Sequence, residues 1–335
     1  MTKKFNILPF FCGAALLGAL LLSGCHARVQ DNEEEEDGRL HVVATLFPYY
    51  DFARQIGQDE IQLTMVVPAG MDSHSFEPTP ADILTIQEAD ILICNGGAME
   101  HWVDQVLEAV DTKNIAVVRG MDYVETVQEE IVEGMEDEEH DHDHHHQDED
   151  DGHEIEIEYD EHIWTSPVNA MTLVQVIGDT LIENDPKHQQ LYQENMDAYL
   201  EQLQELDRQF SQVTDRAVRK RDMIVVGDKF PFRYLADEYD LRYRAAFSGC
   251  STDTEPSAGT IAYLMDKIEE EQIPVIYYLE LSSHRVSQVI SEETGAQPLL
   301  LHSCHNVTRR EFDEGVTYLS LMEQNVENLR KGLDE

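Results

Sequence analysis

The 335-residue chain carries 23 Lys and Arg against 68 Asp and Glu, a formal net charge of −45, with 41% hydrophobic and 8% aromatic residues. That length accommodates two ordinary domains with real cores, and the content of core-forming side chains is too high for a wholly disordered chain. A charge this negative repels a phosphate backbone, so no nucleic acid is expected as a partner.

The chain opens with Lys3 and Lys4, a mostly apolar run over residues 7–22 and then Leu22-Ser23-Gly24-Cys25. A positive start, a greasy middle and small residues at a cut make residues 1–24 a secretory signal peptide. The run is shorter than the roughly 20 apolar residues a membrane span needs. Residues 25–40, with four consecutive glutamates at 33–36, read as a solvated acidic tether.

From His41 short apolar runs alternate with helical ones. Residues 42–45, 62–67 and 91–94 read as strands, with helices over 49–56, 80–89 and 102–110; Thr79 and Pro80 open the second of these. Strand, helix, strand at this cadence predicts an α/β domain with a mainly parallel sheet. Beyond Asp222 the cadence returns, with strands over 223–226, 243–247, 275–279 and 298–301 and helices over 233–239, 260–271, 283–294 and 312–333. Two α/β lobes result, residues 41–184 and 218–335. Between them Tyr192, Met196, Tyr199, Leu203, Leu206, Phe210 and Val213 recur at alternating spacings of four and three. That stripe predicts one long amphipathic linking helix within residues 185–217, on the order of 45 Å long.

Residues 129–161 stand apart: 18 acids, no Lys or Arg, and six histidines, namely His140, His142, His144, His145, His146 and His153. Such a run buries too little apolar surface to order itself and reads as a loop inserted in the first lobe. Imidazoles mixed with carboxylates suit weak capture of borderline cations such as zinc; the alternative is a merely solubilising acidic loop. Of the five cysteines, Cys12 leaves with the signal. Cys94, Cys250 and Cys304 remain beside Cys25. In an exported protein Cys250 and Cys304, each just past a strand-like run, can form a bridge, or all three can be small buried hydrophobes.

Two histidines lie in other settings, His74 in Asp72-Ser73-His74-Ser75-Phe76-Glu77-Pro78 and His162 in Asp160-Glu161-His162-Ile163-Trp164. The second lobe adds Asp228, Glu280, His302 and His305, each after a predicted strand. Ligands of open α/β sheets gather at the carboxyl ends of strands. If the lobes face one another through those edges, His74 and His162 meet Asp228 and His302.

The chain resembles the substrate-binding lipoproteins of ABC-type zinc and manganese importers. The motifs are Leu22-Ser23-Gly24-Cys25, which looks like a lipobox; Asp72-Ser73-His74 with Phe76-Glu77-Pro78-Thr79-Pro80; Asn95-Gly96-Gly97-Ala98-Met99-Glu100; the His-rich acidic loop; His162-Ile163-Trp164; Glu255-Pro256-Ser257; and Glu292-Glu293-Thr294-Gly295-Ala296. The resemblance implies a metal held between two lobes bridged by one rigid helix, and lipidation of Cys25 at the outer face of the cytoplasmic membrane. It also implies a membrane permease as partner and a monomeric carrier. In that family the third ligand is typically a His with an aromatic soon after, and the fourth an Asp or Glu after the last strand. Here Asp228 and Phe230 stand at the third place and His302 at the fourth, an exchange that keeps three imidazoles and one carboxylate. Glu280 is the reserve carboxylate and His305 the reserve imidazole.

Three nitrogens and one oxygen favour Zn2+ over Mn2+, which prefers more oxygen and a higher coordination number. The expectation is therefore a zinc receptor that is not an enzyme, with a manganese receptor as the alternative. A secreted zinc enzyme and a metal-stabilised surface adhesin are the rivals of another class. There is no His-Glu-x-x-His, no Gly-x-Ser-x-Gly and no phosphate-binding Gly-rich loop to support catalysis.

Overall fold

A computed structural model describes residues 38–135, 159–251 and 255–334. Residues 39–335 form one compact unit. Among the described residues, no helix is long and apolar enough to cross a membrane. The expected signal peptide, Cys25, the expected tether up to residue 37 and the six histidines of the acidic loop lie outside the described residues.

The first lobe is built on β1 (Leu40–Ala44), β2 (Ile61–Met65), β3 (Ile91–Cys94) and β4 (Ala116–Arg119). They form an all-parallel sheet in the order β2-β1-β3-β4. The helices α1 (Phe47–Gly57), α2 (Pro80–Gln87) and α3 (His101–Ala109) follow β1, β2 and β3 in turn. Proline near the first helical position opens α1 and α2, and Thr79 with Asp82 adds a capping box to α2. The four-residue β4 is too short to show a period, and no strand was expected there.

The second lobe repeats this topology with β5 (Met223–Phe230), β6 (Arg242–Ser248), β7 (Val275–Tyr278) and β8 (Gln297–Leu300), all parallel in the order β6-β5-β7-β8. Between the two sheets come α4 (Pro167–Asn184) and α5 (Gln189–Thr214). All seven residues of the sequence stripe on α5 are buried, at 3% exposure or less. The helix packs on α1, α4 and the last helix, and its 26 residues span about 39 Å.

The second lobe's helices are α6 (Arg233–Glu238), α7 (Ala258–Glu271), α8 (Arg285–Thr294), α9 (Arg309–Asp313) and α10 (Tyr318–Leu333). The single helix expected over 312–333 is two. Gly315 takes a φ of +76°, and Thr317 with Ser320 caps a fresh start for α10.

Hydrogen bonds join the carboxyl-end loops of the two lobes. The Trp164 indole N–H donates to the Ser303 carbonyl at 2.8 Å, the Tyr318 hydroxyl to the Trp164 carbonyl at 2.7 Å, and the Asn306 amide to the carbonyls of Pro68 and Met71. Trp164 and Tyr318 are fully buried. Cores with such contacts on both sides hold the two strand edges face to face.

Candidate metal centre

Every candidate ligand sits past or near the carboxyl end of a strand, as the topology of parallel sheets favours. His74 lies in a 3₁₀ turn, Ser73–Ser75, that follows β2, and the Asp72 carboxylate accepts its backbone N–H at 3.0 Å. His162 precedes α4. The Asp160 carboxylate accepts from the His162 backbone N–H at 2.8 Å and lies 3.2 Å from its Nδ1. A carboxylate on one ring nitrogen fixes the ring and leaves Nε2 for a metal.

The Asn95-Gly96-Gly97 motif supports this segment from below. The Glu161 carboxylate accepts backbone N–H groups of Ala98 and Met99, and the Asn95 amide donates to the Glu161 carbonyl at 2.9 Å. Gly97 has a φ of +83°, and a Cβ there would press on the Glu161 carboxylate, so both conformation and space demand glycine.

The second lobe contributes His305. Its ring lies 5.4 Å from that of His74 and 5.6 Å from that of His162, centroid to centroid, while His74 and His162 are 5.9 Å apart. One ligand atom from each of the three fits within 4.8 Å of the others, and among the described residues this is the group able to hold a metal. The Ser73 hydroxyl contacts His305 Nε2 across the cleft, and Trp164 packs 5.6 Å from the His305 ring.

The structure does not bring His302 into this cluster. Its backbone N–H donates to the Asn325 side chain of α10, its carbonyl accepts from the Asn325 amide, and its Nδ1 accepts the Cys304 N–H at 2.9 Å. The ring is thus turned into the lobe, 1% exposed, with Nε2 buried and unpartnered. Cys304 takes a left-handed φ of +59°, and that reversal, two residues past His302, swings His305 into the cleft instead.

Asp228 is also placed differently, inside β5 rather than past it. The register of β5 against β6 shifts between Val226 and Lys229, and the Asp228 carboxylate accepts from the Leu279 N–H and the Ser282 hydroxyl. Asp228 and Glu280 both line the interlobe cavity but are not in the three-imidazole group, and Glu280 accepts from the Ser303 N–H at 2.8 Å. Cys94, Cys250 and Cys304 are all free, so the bridge considered for Cys250 and Cys304 is not formed. Cys304 is buried in the core, whereas the Cys250 N–H is held by Glu129 beside the first lobe.

Electrostatics prepare two of the three rings. Burial, helped by the neighbouring His162, lowers the His74 imidazole to about 4, and burial with both other rings and Lys229 pushes His305 well below its usual range. Burial disfavours the charged form of His162 too, but Asp160, Glu161 and Glu129 outweigh it and raise its pKa. Neutral imidazoles are the ligating form. Two residues escaped the sequence reading. Asp160 stands two before His162, a spacing that could have flagged it as an orienting carboxylate. Lys229 lies on the cleft wall with no motif to announce it.

The model of the family described as zinc-uptake complex component A, periplasmic, ZnuA, matches residues 42–332. The chain belongs to that ZnuA family. It is 32% identical over 333 residues to the zinc-binding lipoprotein AdcA of Streptococcus pneumoniae, covering 99% of this chain and 62% of that one. It thus spans less than two thirds of AdcA. Over 315 residues it is 32% identical to the high-affinity zinc uptake system protein ZnuA of Bacillus subtilis, covering 94% of each. The Zn(II)-bound ZnuA-like domain of Streptococcus pneumoniae AdcA superposes with a TM-score of 0.71 at 28% identity, covering 89% of this chain and all of that domain. The Bacillus subtilis metal-dependent lipoprotein YcdH gives 0.72 at 28% identity, with 88% of this chain and all of that one covered. A two-lobe α/β metal-receptor fold is common to this chain and these ZnuA-like structures.

Proposed function

We propose that the protein is an exported, lipid-anchored zinc receptor that captures Zn2+ between its lobes and delivers it to an ABC-type permease. The observation that carries this reading is the triangle of His74, His162 and His305, drawn from both lobes of a ZnuA-family chain. Three imidazoles are a zinc-type donor set. His74 and His162 are the first-lobe ligands and His305 the second-lobe ligand, with Asp160 orienting His162. Anchoring is assigned to lipidated Cys25, and weak accessory capture to the histidines at 140, 142, 144, 145, 146 and 153. The residue organisation follows the sequence reading, with lobes over 41–184 and 218–335 joined by the helix within 185–217. On this reading the chain carries metal and catalyses nothing.

Calorimetric titration of metal-stripped protein with zinc and with manganese tests the proposal. One tight, zinc-preferring site that is lost in His74→Ala is expected; tight binding of manganese over zinc, or full affinity in His74→Ala, would overturn it.

A further inference from the structure

Resting on the zinc-receptor reading, we propose that the cleft takes its cation together with a small carboxylate-bearing anion, which supplies a fourth donor to the metal and pairs with Lys229.

The donor count comes first. The three imidazoles bring no charge, and zinc favours four ligands. None of the carboxylates around the cleft belongs to the three-imidazole group, and each already accepts hydrogen bonds: Asp72 from the His74 N–H, Asp160 from His162, Asp228 from Leu279 and Ser282, and Glu280 from Ser303. Glu255 sits at the exposed rim, 3.8 Å from Arg285.

Charge makes the same point. Lys229 is half-buried on the cavity wall, and among the described residues it forms no ion pair. Its field reaches both His74 and His305. An ammonium fixed beside a dication is repulsive unless an anion lies between them. The irregularity in β5 falls between Val226 and Lys229, and strand irregularities of this kind re-aim side chains beside binding sites.

Room is available as well. The cavity measures about 390 Å³, where one water's share of liquid is about 30 Å³. A bare ion leaves most of that space over, and a small organic acid fits it. The Ser283 hydroxyl and the Lys229 ammonium line the same space and offer hydrogen bonds to carboxylate oxygens.

The test loads the metal-stripped full chain with cobalt(II), whose visible bands report its ligands, and titrates acetate against perchlorate at matched ionic strength. Saturable band shifts with acetate and none with perchlorate are expected. In Lys229→Gln the half-saturating acetate should rise roughly tenfold, the effect of losing one hydrogen bond to a charged group, with cobalt uptake kept; Lys229→Arg should retain most of the response. Stoichiometric, His74-dependent cobalt uptake with bands silent to acetate overturns the anion proposal alone, as does an equal acetate response in Lys229→Gln. Absence of stoichiometric uptake, or uptake indifferent to His74→Ala, overturns the receptor reading beneath it.

Discussion

His305 and His302 differ by three positions and have opposite fates. The left-handed turn at Cys304 sends one ring into the cleft, while Asn325 and the Cys304 N–H hold the other in the lobe. His305→Ala is therefore expected to abolish tight zinc binding. His302→Ala should leave affinity within about twofold while costing about 1–3 kcal/mol of stability through lost buried hydrogen bonding, read as a lower Tm. The reverse pattern in a paired calorimetric and thermal series would return the ligand role to His302. His74 carries a pH signature. Its folded pKa of about 4 lies below an unfolded value of about 6.5. As pH falls through that window the unfolded chain takes up a proton that the folded site refuses, so stability present above pH 6.5 is lost toward pH 4. Metal-free His74→Gln should show a shallower fall of Tm between pH 6.5 and 4 than the parent chain; equal slopes would contradict the assignment.

The elements were unequally legible. The α5 stripe could be read because its polar face is rich in Gln, Glu and Asp, so only one side offers apolar residues. The α4 helix escaped because Met171, Val176 and Ile182, partly buried against the core, widen its apolar face, and Val168, 37% exposed, adds an apolar residue outside it, so the same period is blurred. Ligand assignment was less legible still. Strand ends mark which loops reach the cleft, but the bulge in β5 and the left-handed Cys304 decide which side chain points into it, and neither has a period to follow. The loop after β6 makes a close approach of its own. A Cβ on Gly249 would lie 2.9 Å from both the Asp160 carboxylate and the Phe230 carbonyl, and 3.3 Å from His162 Nδ1. Gly249→Ala should therefore displace the Asp160–His162 pair and lower zinc affinity by about tenfold or more, with about 1–3 kcal/mol of destabilisation from overpacking. Gly259→Ala in α7, where the nearest contact is an ordinary 3.4 Å, should leave affinity unchanged. Calorimetry on both variants checks the contrast, and undiminished affinity in Gly249→Ala would show that this approach does not shape the site.

For the molecule as a whole, two parallel sheets of the same order turn their carboxyl ends toward each other, and buried bonds from Trp164 and Tyr318 fasten those ends. The imidazole group draws on both lobes: the first offers two rings and the second one. The α/β alternation, the long helix and the nearness of His74 and His162 to one cleft were all legible in residue order. The third imidazole of the group depended on a backbone reversal that only the fold reveals. The most direct measurement is an anomalous-scattering map at the zinc edge from crystals of the zinc-loaded protein. One strong peak within about 2.0–2.1 Å of a nitrogen of each of His74, His162 and His305 is the predicted result; a peak seated on His302 or Glu280, with that triangle empty, would contradict the account.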